Sequence, residues 1–326
     1  MSVMQSGAVP LESYKDMIDG EIERLVLERL SSPRDQPAMG LAREVLLAGG
    51  KRYRPMLGLI AYEAAGGEDV GNVMDFALSA ELIHTATLVH DDVYDRSKMR
   101  RGKPTIHASH GIPHAIIAGD YLFALGFELG ARHEPRIIDL VSASCARVAS
   151  GEILQLEHIR DLSTQPENYY EIIDGKTAGP FATACSCAAI VADHEEFVEP
   201  MWNYGMEMGR AFQLVDDLLD LIGDESTGKP RGTDVLEGKM TLPIIHALTV
   251  THGADRDQLA DVLTNYNDSR LRELTDLLER AGSFDYSQLL ISNHIERALE
   301  SLSSLPDSGA KGLLIDFAEM SRSRTN

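Results

Sequence analysis

An all-α fold is predicted for this chain of 326 residues, on three observations. Apolar residues recur at three- and four-residue steps. No run of any length alternates apolar and polar residues, so strands are absent or trivial. Gly, Pro and Ser clusters divide the chain into segments of helical length.

Residues 11–31 form the first amphipathic segment, with Tyr14, Ile18, Ile22, Leu25 and Leu27 among acids, and Ser31-Ser32-Pro33 stops it. A second helix, 38–48, ends at Gly49-Gly50. Lys51-Arg52-Tyr53-Arg54-Pro55 then sets three cations in four residues before a helix resumes over Met56–Ala65. Two readings stand open: cations completing a helix dipole, or a phosphate cradle in which the glycines admit an anion and Lys51 and Arg54 supply a point charge and a fork.

The stretch 70–95 reads as one long helix leading into Asp91-Asp92-Val93-Tyr94-Asp95. Asp91 and Asp95 lie about 40° apart on such a helix, and Asp92 falls within the same ~100° arc. Like charges at that spacing cost an isolated helix about 0.2–0.5 kcal/mol a pair, and a helix C-terminus prefers cations. A hard divalent cation compensates, Mg2+ above all, which takes a carboxylate or two together with waters and phosphates. A solvated acidic helix end is the other reading of one such motif alone. The same spacing returns at Asp216-Asp217-Leu218-Leu219-Asp220, after the apolar stretch Met208–Leu221. Two triads facing each other would clamp a diphosphate between divalent ions.

Five cations in eight residues, from Arg96 to Lys103, follow the first triad. They either pair with it at the surface or, with Mg2+ in the triad, bind phosphate. Helices are expected at 112–131, 136–158 and 167–192. In the last of these Pro180 removes a backbone hydrogen bond, kinks the helix and frees carbonyls near Lys176-Thr177. Gly223–Gly238, which carries Lys229 and precedes Lys239, is a candidate lid. The tail from 255 reads as amphipathic helices broken near Gly282-Ser283 and Leu305–Gly309. No linker longer than a turn interrupts residues 1–326, and the motifs make chemical sense only together, so a single domain is expected.

Net charge is −21 with a pI near 4.8. So acidic a surface argues against nucleic acid or an anionic membrane face as partner. Cys145, Cys185 and Cys187 are odd in number and lack the spacing of a zinc or redox site. No signal-peptide pattern opens the chain, and a cytoplasmic protein not integral to the membrane is expected. No Walker loop, HExxH or Ser-His-Asp arrangement is present.

In their order, Gly49–Pro55, Glu81–Gly102, Lys176-Thr177 and Phe212–Pro243 resemble the motifs of the trans-isoprenyl (polyprenyl) diphosphate synthases, and the likeness spans nearly the whole chain. The resemblance implies an all-α bundle of about ten core helices around a deep central cavity, usually a homodimer. It also implies condensation of isopentenyl diphosphate with an allylic diphosphate (dimethylallyl, geranyl, farnesyl or geranylgeranyl), with three Mg2+ per site. By that resemblance Asp91, Asp92, Asp95, Asp216 and Asp220 hold Mg2+ on the allylic diphosphate, with Asp217 supporting. Arg100, Lys176, Lys229 and Lys239 touch the same diphosphate, while Lys51, Arg54, His84 and Arg101 match the isopentenyl diphosphate pocket. Thr177 and Gln213 face the reacting carbons. Position 84 is glutamine in many shorter-chain relatives, and the Asp216–Lys229 loop is one residue shorter than in some; neither departure threatens catalysis.

Product length should follow what lines the cavity below Asp91. Thr87, Ile83 and Ala80 form one stripe upstream of it, with Ala86 at its edge, and relatives making fifteen-carbon products carry bulky aromatics at the positions of Ala86 or Thr87. Small residues here imply twenty carbons or more, with Ile83 and Phe123 or Phe127 as the floor. A class I terpene cyclase would need no second diphosphate pocket, which Lys51, Arg54 and Arg101 supply. A non-catalytic partner subunit would be expected to lose one triad, and both are intact.

Overall fold

The computed structural model describes residues 11–223 and 231–323. The chain divides into two compact units. One comprises the chain up to Ala143 with Thr183–Met201 and Ser304–Leu314; the other comprises Ser144–Ala182, Trp202–Ser303 and the residues from Ile315. Both are helical, and the expected all-α class holds.

In the first unit α1 (Leu11–Ser31), α2 (Gln36–Leu46), α3 (Tyr53–Ala64) and α4 (Gly71–Tyr94) pack around Ile18, Ile22, Leu57, Ile60, Phe76 and Leu82. No glycine or proline interrupts α4 after its first residue, which lets it run for 24 residues. The two short strands β1 (Met99–Arg100) and β2 (Lys103–Pro104) form a hairpin. Arg101 and Gly102 turn it at φ 51° and 74°, positive at both central positions as a tight hairpin demands. A single turn, α5 (Ile106–His110), leads into α6 (Ile112–Gly130).

Helix α6 is, among the described residues, long and apolar enough to cross a membrane by length and composition alone. It packs along α4 through small residues: a Cβ on Gly126 would lie 2.8 Å from Ile83 Cγ1. Helix α7 (Pro135–Glu157) passes from the first unit into the second.

The second unit holds the segment expected to be one kinked helix. It is three pieces: α8 (Pro166–Ile173), a π-helical turn (Asp174–Ala178), and the start of α9 (Gly179–Val191). Gly179 N–H reaches back to Asp174 O, an i→i−5 bond. Pro180 is the cause that the sequence offers: without its N–H the ladder loses a rung there and the preceding turn widens by one residue. Helix α10 (Val198–Ile222) then carries the second acidic motif.

Following it are α11 (Thr233–Glu237), α12 (Leu242–Val250), α13 (Gly253–Thr264), α14 (Leu271–Arg280), α15 (Ser283–Ser301) and α16 (Gly309–Ser323). The expected breaks near 282 and 305–309 are present. The candidate lid carries the short helix α11 in its described part, and residues 224–230, with Lys229, lie outside the described residues.

One polar network of this unit fixes an acid-sensitive share of stability. Glu207 of α10 accepts hydrogen bonds from His294 at 2.7 Å and Arg297 at 2.8 Å, both on α15. Burial pushes its carboxyl up, but these two partners outweigh it and hold it at about 2. A depressed carboxylate contributes stability above its unfolded-chain value, near 4.5, and loses it as pH falls toward the folded value. Glu207→Gln should therefore cost roughly 2 kcal/mol at pH 7, discounted because Arg297 is half exposed. Urea titrations of both proteins should show that gap closing between pH 5 and pH 2; a gap independent of pH would contradict the assignment.

Candidate active site

The residues that the sequence singles out divide between the units. In the first, α3 starts at Tyr53, earlier than expected, so Arg54 stands in a helix's first turn rather than in a loop. Arg52, its N-cap, is in the left-handed region at φ 52° and is 4% exposed. Its guanidinium meets Glu81 at 2.5 Å, Asp19 at 2.9 Å and Leu46 O at 2.7 Å, so the middle cation of the run belongs to the core. Lys51 lies on the face of Tyr53, 5.6 Å from the ring centre.

Gly49 O accepts from the Arg101 guanidinium, and a Cβ on Gly50 would fall 2.9 Å from Arg101 Nη1. The double glycine is thus a bare backbone seat for Arg101, and it joins two basic runs that are distant in sequence. His84, within α4, is held neutral: burial lowers its affinity for a proton, and the charges of Arg54, Arg101 and Arg100 add to the effect. Cations concentrated around a neutral imidazole suit a polyanion.

At the end of α4, Asp92 is 3% exposed and turned inward, with Arg100 Nε 2.9 and 3.0 Å from its two oxygens. Burial nonetheless leaves its carboxyl raised. Asp91 is half-buried and accepts from Tyr94 Oη at 2.5 Å, while Asp95 is exposed. Further upstream Ala80, Ile83 and Thr87 share with Asp91 an incompletely buried stripe of α4, whereas Ala86 is fully buried beside it. The Thr87 hydroxyl is taken by His84 O. Ile83 packs at Gly126 of α6, whose Phe123 and Phe127 stack at 6.5 Å, so the three candidate floor residues lie on one helix pair.

In the second unit, Gln213, Asp216, Asp217 and Asp220 fall on one face of α10. Asp217 is 3% exposed, and both its oxygens are taken: Tyr169 Oη donates at 2.6 Å and Gln213 Nε2 at 2.9 Å. Burial raises its carboxyl, and the charge of Asp234 adds to the rise. Asp220 accepts from the backbone N–H groups of Thr233 at 3.1 Å and Asp234 at 3.2 Å. Burial and Asp234 push it up to about 6.

The π turn aims Thr177 at Gln213 Oε1, 2.8 Å away, and lays Lys176 Nζ 2.6 Å from Glu152 and 2.9 Å from Gln155, both on α7. Two 2.7 Å bonds from Arg210 to Asp174 pin the turn to α10. Close approach tightens it further, since a Cβ on Gly209 would sit 2.4 Å from Ala178 Cα. Gln155, Tyr169, Lys176, Thr177, Gln213 and Lys239 line one cavity of this unit. Lys239 pairs with Glu237 at 2.7 Å and Asp234 at 3.2 Å.

Among the described residues no three His, Cys, Asp or Glu side chains converge as a protein-only metal cage. The oxygen donors fit instead a hard cation that draws most of its ligands from water and phosphate. Burial raises the carboxyls of Asp92, Asp217 and Asp220, and at the last two the charge of Asp234 adds to the rise. Sequence reasoning did not anticipate the inward roles of Arg52 and Asp92, nor Tyr169 and the Asp174–Arg210 pair.

The family model described as polyprenyl synthetase matches residues 36–279. The chain is 37% identical over 289 residues to an all-trans-nonaprenyl-diphosphate synthase (geranyl-diphosphate specific) of Rhodobacter capsulatus, covering 88% of this chain and 89% of that one. It is 35% identical to a short chain isoprenyl diphosphate synthase of Methanothermobacter thermautotrophicus, over 95% of this chain and 96% of the other. A crystal structure of polyprenyl synthase from Caulobacter crescentus CB15, complexed with calcium and isoprenyl diphosphate, superposes with a TM-score of 0.88 at 31% identity, covering 100% of both chains.

Proposed function

The chain belongs to the polyprenyl synthetase family and is a prenyltransferase of head-to-tail condensation, and on that premise we propose that it joins isopentenyl diphosphate to an allylic diphosphate by Mg2+-assisted ionisation, condensation and proton elimination. The observation that carries the reading is the grouping in the second unit: Thr177 and Gln213 present oxygens to the same cavity that Lys176 and Lys239 line, on the helix that bears Asp216 and Asp220. A departing diphosphate needs cations. The allylic carbon left behind needs oxygen dipoles and no nucleophile.

In this proposal Asp91, Asp95, Asp216 and Asp220, aided by Asp92, hold three Mg2+, as the resemblance implies. Bound there, Mg2+ would neutralise charge developing on the leaving diphosphate. Arg100, Lys176, Lys229 and Lys239 bind that diphosphate, with Lys176 exchanging Glu152 for it. Lys51, Arg54, His84 and Arg101 bind isopentenyl diphosphate. Asp217, with both oxygens engaged by Tyr169 and Gln213, orients Gln213 rather than ligating metal. The departing diphosphate accepts the proton lost after condensation. The two units act as one catalytic domain, and the chain works as a homodimer, for which the exposed Ile112, Ile116 and Ile117 of α6 offer an apolar surface.

Incubating the purified protein with Mg2+, labelled isopentenyl diphosphate and each allylic primer in turn tests the reaction. Absence of product with every primer would refute it. Residues as small as Thr87, Ala86 and Ala80 upstream of Asp91 favour a product of twenty carbons or more; a fifteen-carbon product alone would overturn that length. Thr87→Phe should shorten the product by at least one five-carbon unit, read by chromatography of the dephosphorylated alcohols.

A further inference from the structure

Tyr169 is 4% exposed, and its hydroxyl ends on Asp217 Oδ2 at 2.6 Å. The other carboxylate oxygen takes Gln213 Nε2 at 2.9 Å, and Gln213 Oε1 takes the Thr177 hydroxyl at 2.8 Å. Tyr169 and Gln213 belong to segments 44 positions apart in sequence, yet they meet on one carboxylate.

The direction of these bonds is fixed by chemistry. A carboxylate only accepts, so Gln213 must offer Asp217 its NH2 and turn its carbonyl the opposite way. Thr177 has one hydroxyl proton, and it is spent on that carbonyl. What remains opposite these bonds is lone pairs on the Thr177 hydroxyl and on the Gln213 carbonyl, while both N–H groups of Gln213 sit at the amide end turned to Asp217. Both side chains line the cavity.

We propose that Tyr169 is a positioning residue for the condensation: by occupying the second oxygen of Asp217 it fixes the carboxylate's rotation, and through it the amide of Gln213 and the hydroxyl of Thr177. The ligand class this wall suits is an electron-deficient allylic carbon, so the role rests on the reaction proposed above. Without the tyrosine hydroxyl, Asp217 can turn away and Gln213 can flip. Its NH2 then faces the cavity and repels the charge that the carbonyl was placed to stabilise.

The test is a double-mutant cycle between Tyr169→Phe and Gln213→Ala, with kcat and KM measured for both diphosphates. Y169F should lower kcat about tenfold, with each KM and the Mg2+ concentration at half-activity unchanged within twofold. In the Q213A background the same change should alter kcat by less than twofold, because the group through which Tyr169 acts is already gone.

A tenfold loss that persists in the Q213A background overturns the proposal, as does a Y169F kcat within twofold of wild type. Asp217→Asn is the second variant, independent of how well Y169F folds: it should show the same loss confined to kcat, and a raised Mg2+ requirement would instead make Asp217 a metal ligand and refute the role. A wild-type protein that forms no product removes the reaction itself, an outcome separate from these.

Discussion

Replacing Asp216 by Asn lowers kcat for condensation by about a thousandfold, and Asp91→Asn does the same from the other motif. The size follows from the loss of one preorganised charge at a site where negative charge develops on the leaving group, an effect of roughly 3–4 kcal/mol in comparable sites. Asn keeps the shape of Asp, so the packing of α10 is undisturbed. Stability should not fall. Asp216 contributes to the crowding that raises Asp217, and removing its charge relieves that crowding. A stopped assay with labelled isopentenyl diphosphate, paired with a thermal melt, reads both quantities; an activity loss below tenfold, or a loss matched by unfolding, would sink the assignment of these carboxylates to Mg2+.

Gly209→Ala is the second large effect, and here stability and activity fall together. The added methyl would lie 2.4 Å from Ala178 Cα, and backbone cannot swing aside as a side chain can. Either α10 backs away from the π turn or the turn deforms. Overpacking of this kind costs about 1–3 kcal/mol, which for a chain of this size is a fall in melting temperature of several degrees. Any displacement also moves Thr177 from Gln213, so kcat should fall at least tenfold, by the ~1.4 kcal/mol a tenfold change represents. Gly20→Ala, inside α1 with nothing within 4 Å of the new Cβ, is the control: kcat should not change, and the melting temperature should rise slightly rather than fall, since Ala favours a helix interior over Gly.

How much of this was readable beforehand depended on the range of the interaction. The long helix at 71–94 and the breaks near 282 and 305 follow from periodicity and from glycine and proline, all local signals. The kink near Lys176 was foreseeable from Pro180, but its form, a single widened turn, was not, because it depends on α7 and α10 gripping both sides. Spacing showed that Asp91, Asp92 and Asp95 share an arc. It could not show that Asp92 is the buried member, against Arg100, while Asp91 is half-buried and Asp95 exposed. Arg52 looked like its basic neighbours until Glu81 and Asp19, far away in sequence, closed on it. Tyr169 carried no local signal, since the carboxylate its hydroxyl binds is 48 positions later.

The π turn also limits how this chain can change length. One extra residue sits between α8 and α9, so deleting a residue from 174–178 would close the segment into plain α-helix and turn the side chains that the widened turn carries out of their present directions. Thr177 would then point away from Gln213, and the tight seat at Gly209 would meet a different side chain. Loops elsewhere in the molecule can absorb insertions and deletions, whereas this segment behaves like a gear tooth: its residue count is itself part of the catalytic geometry.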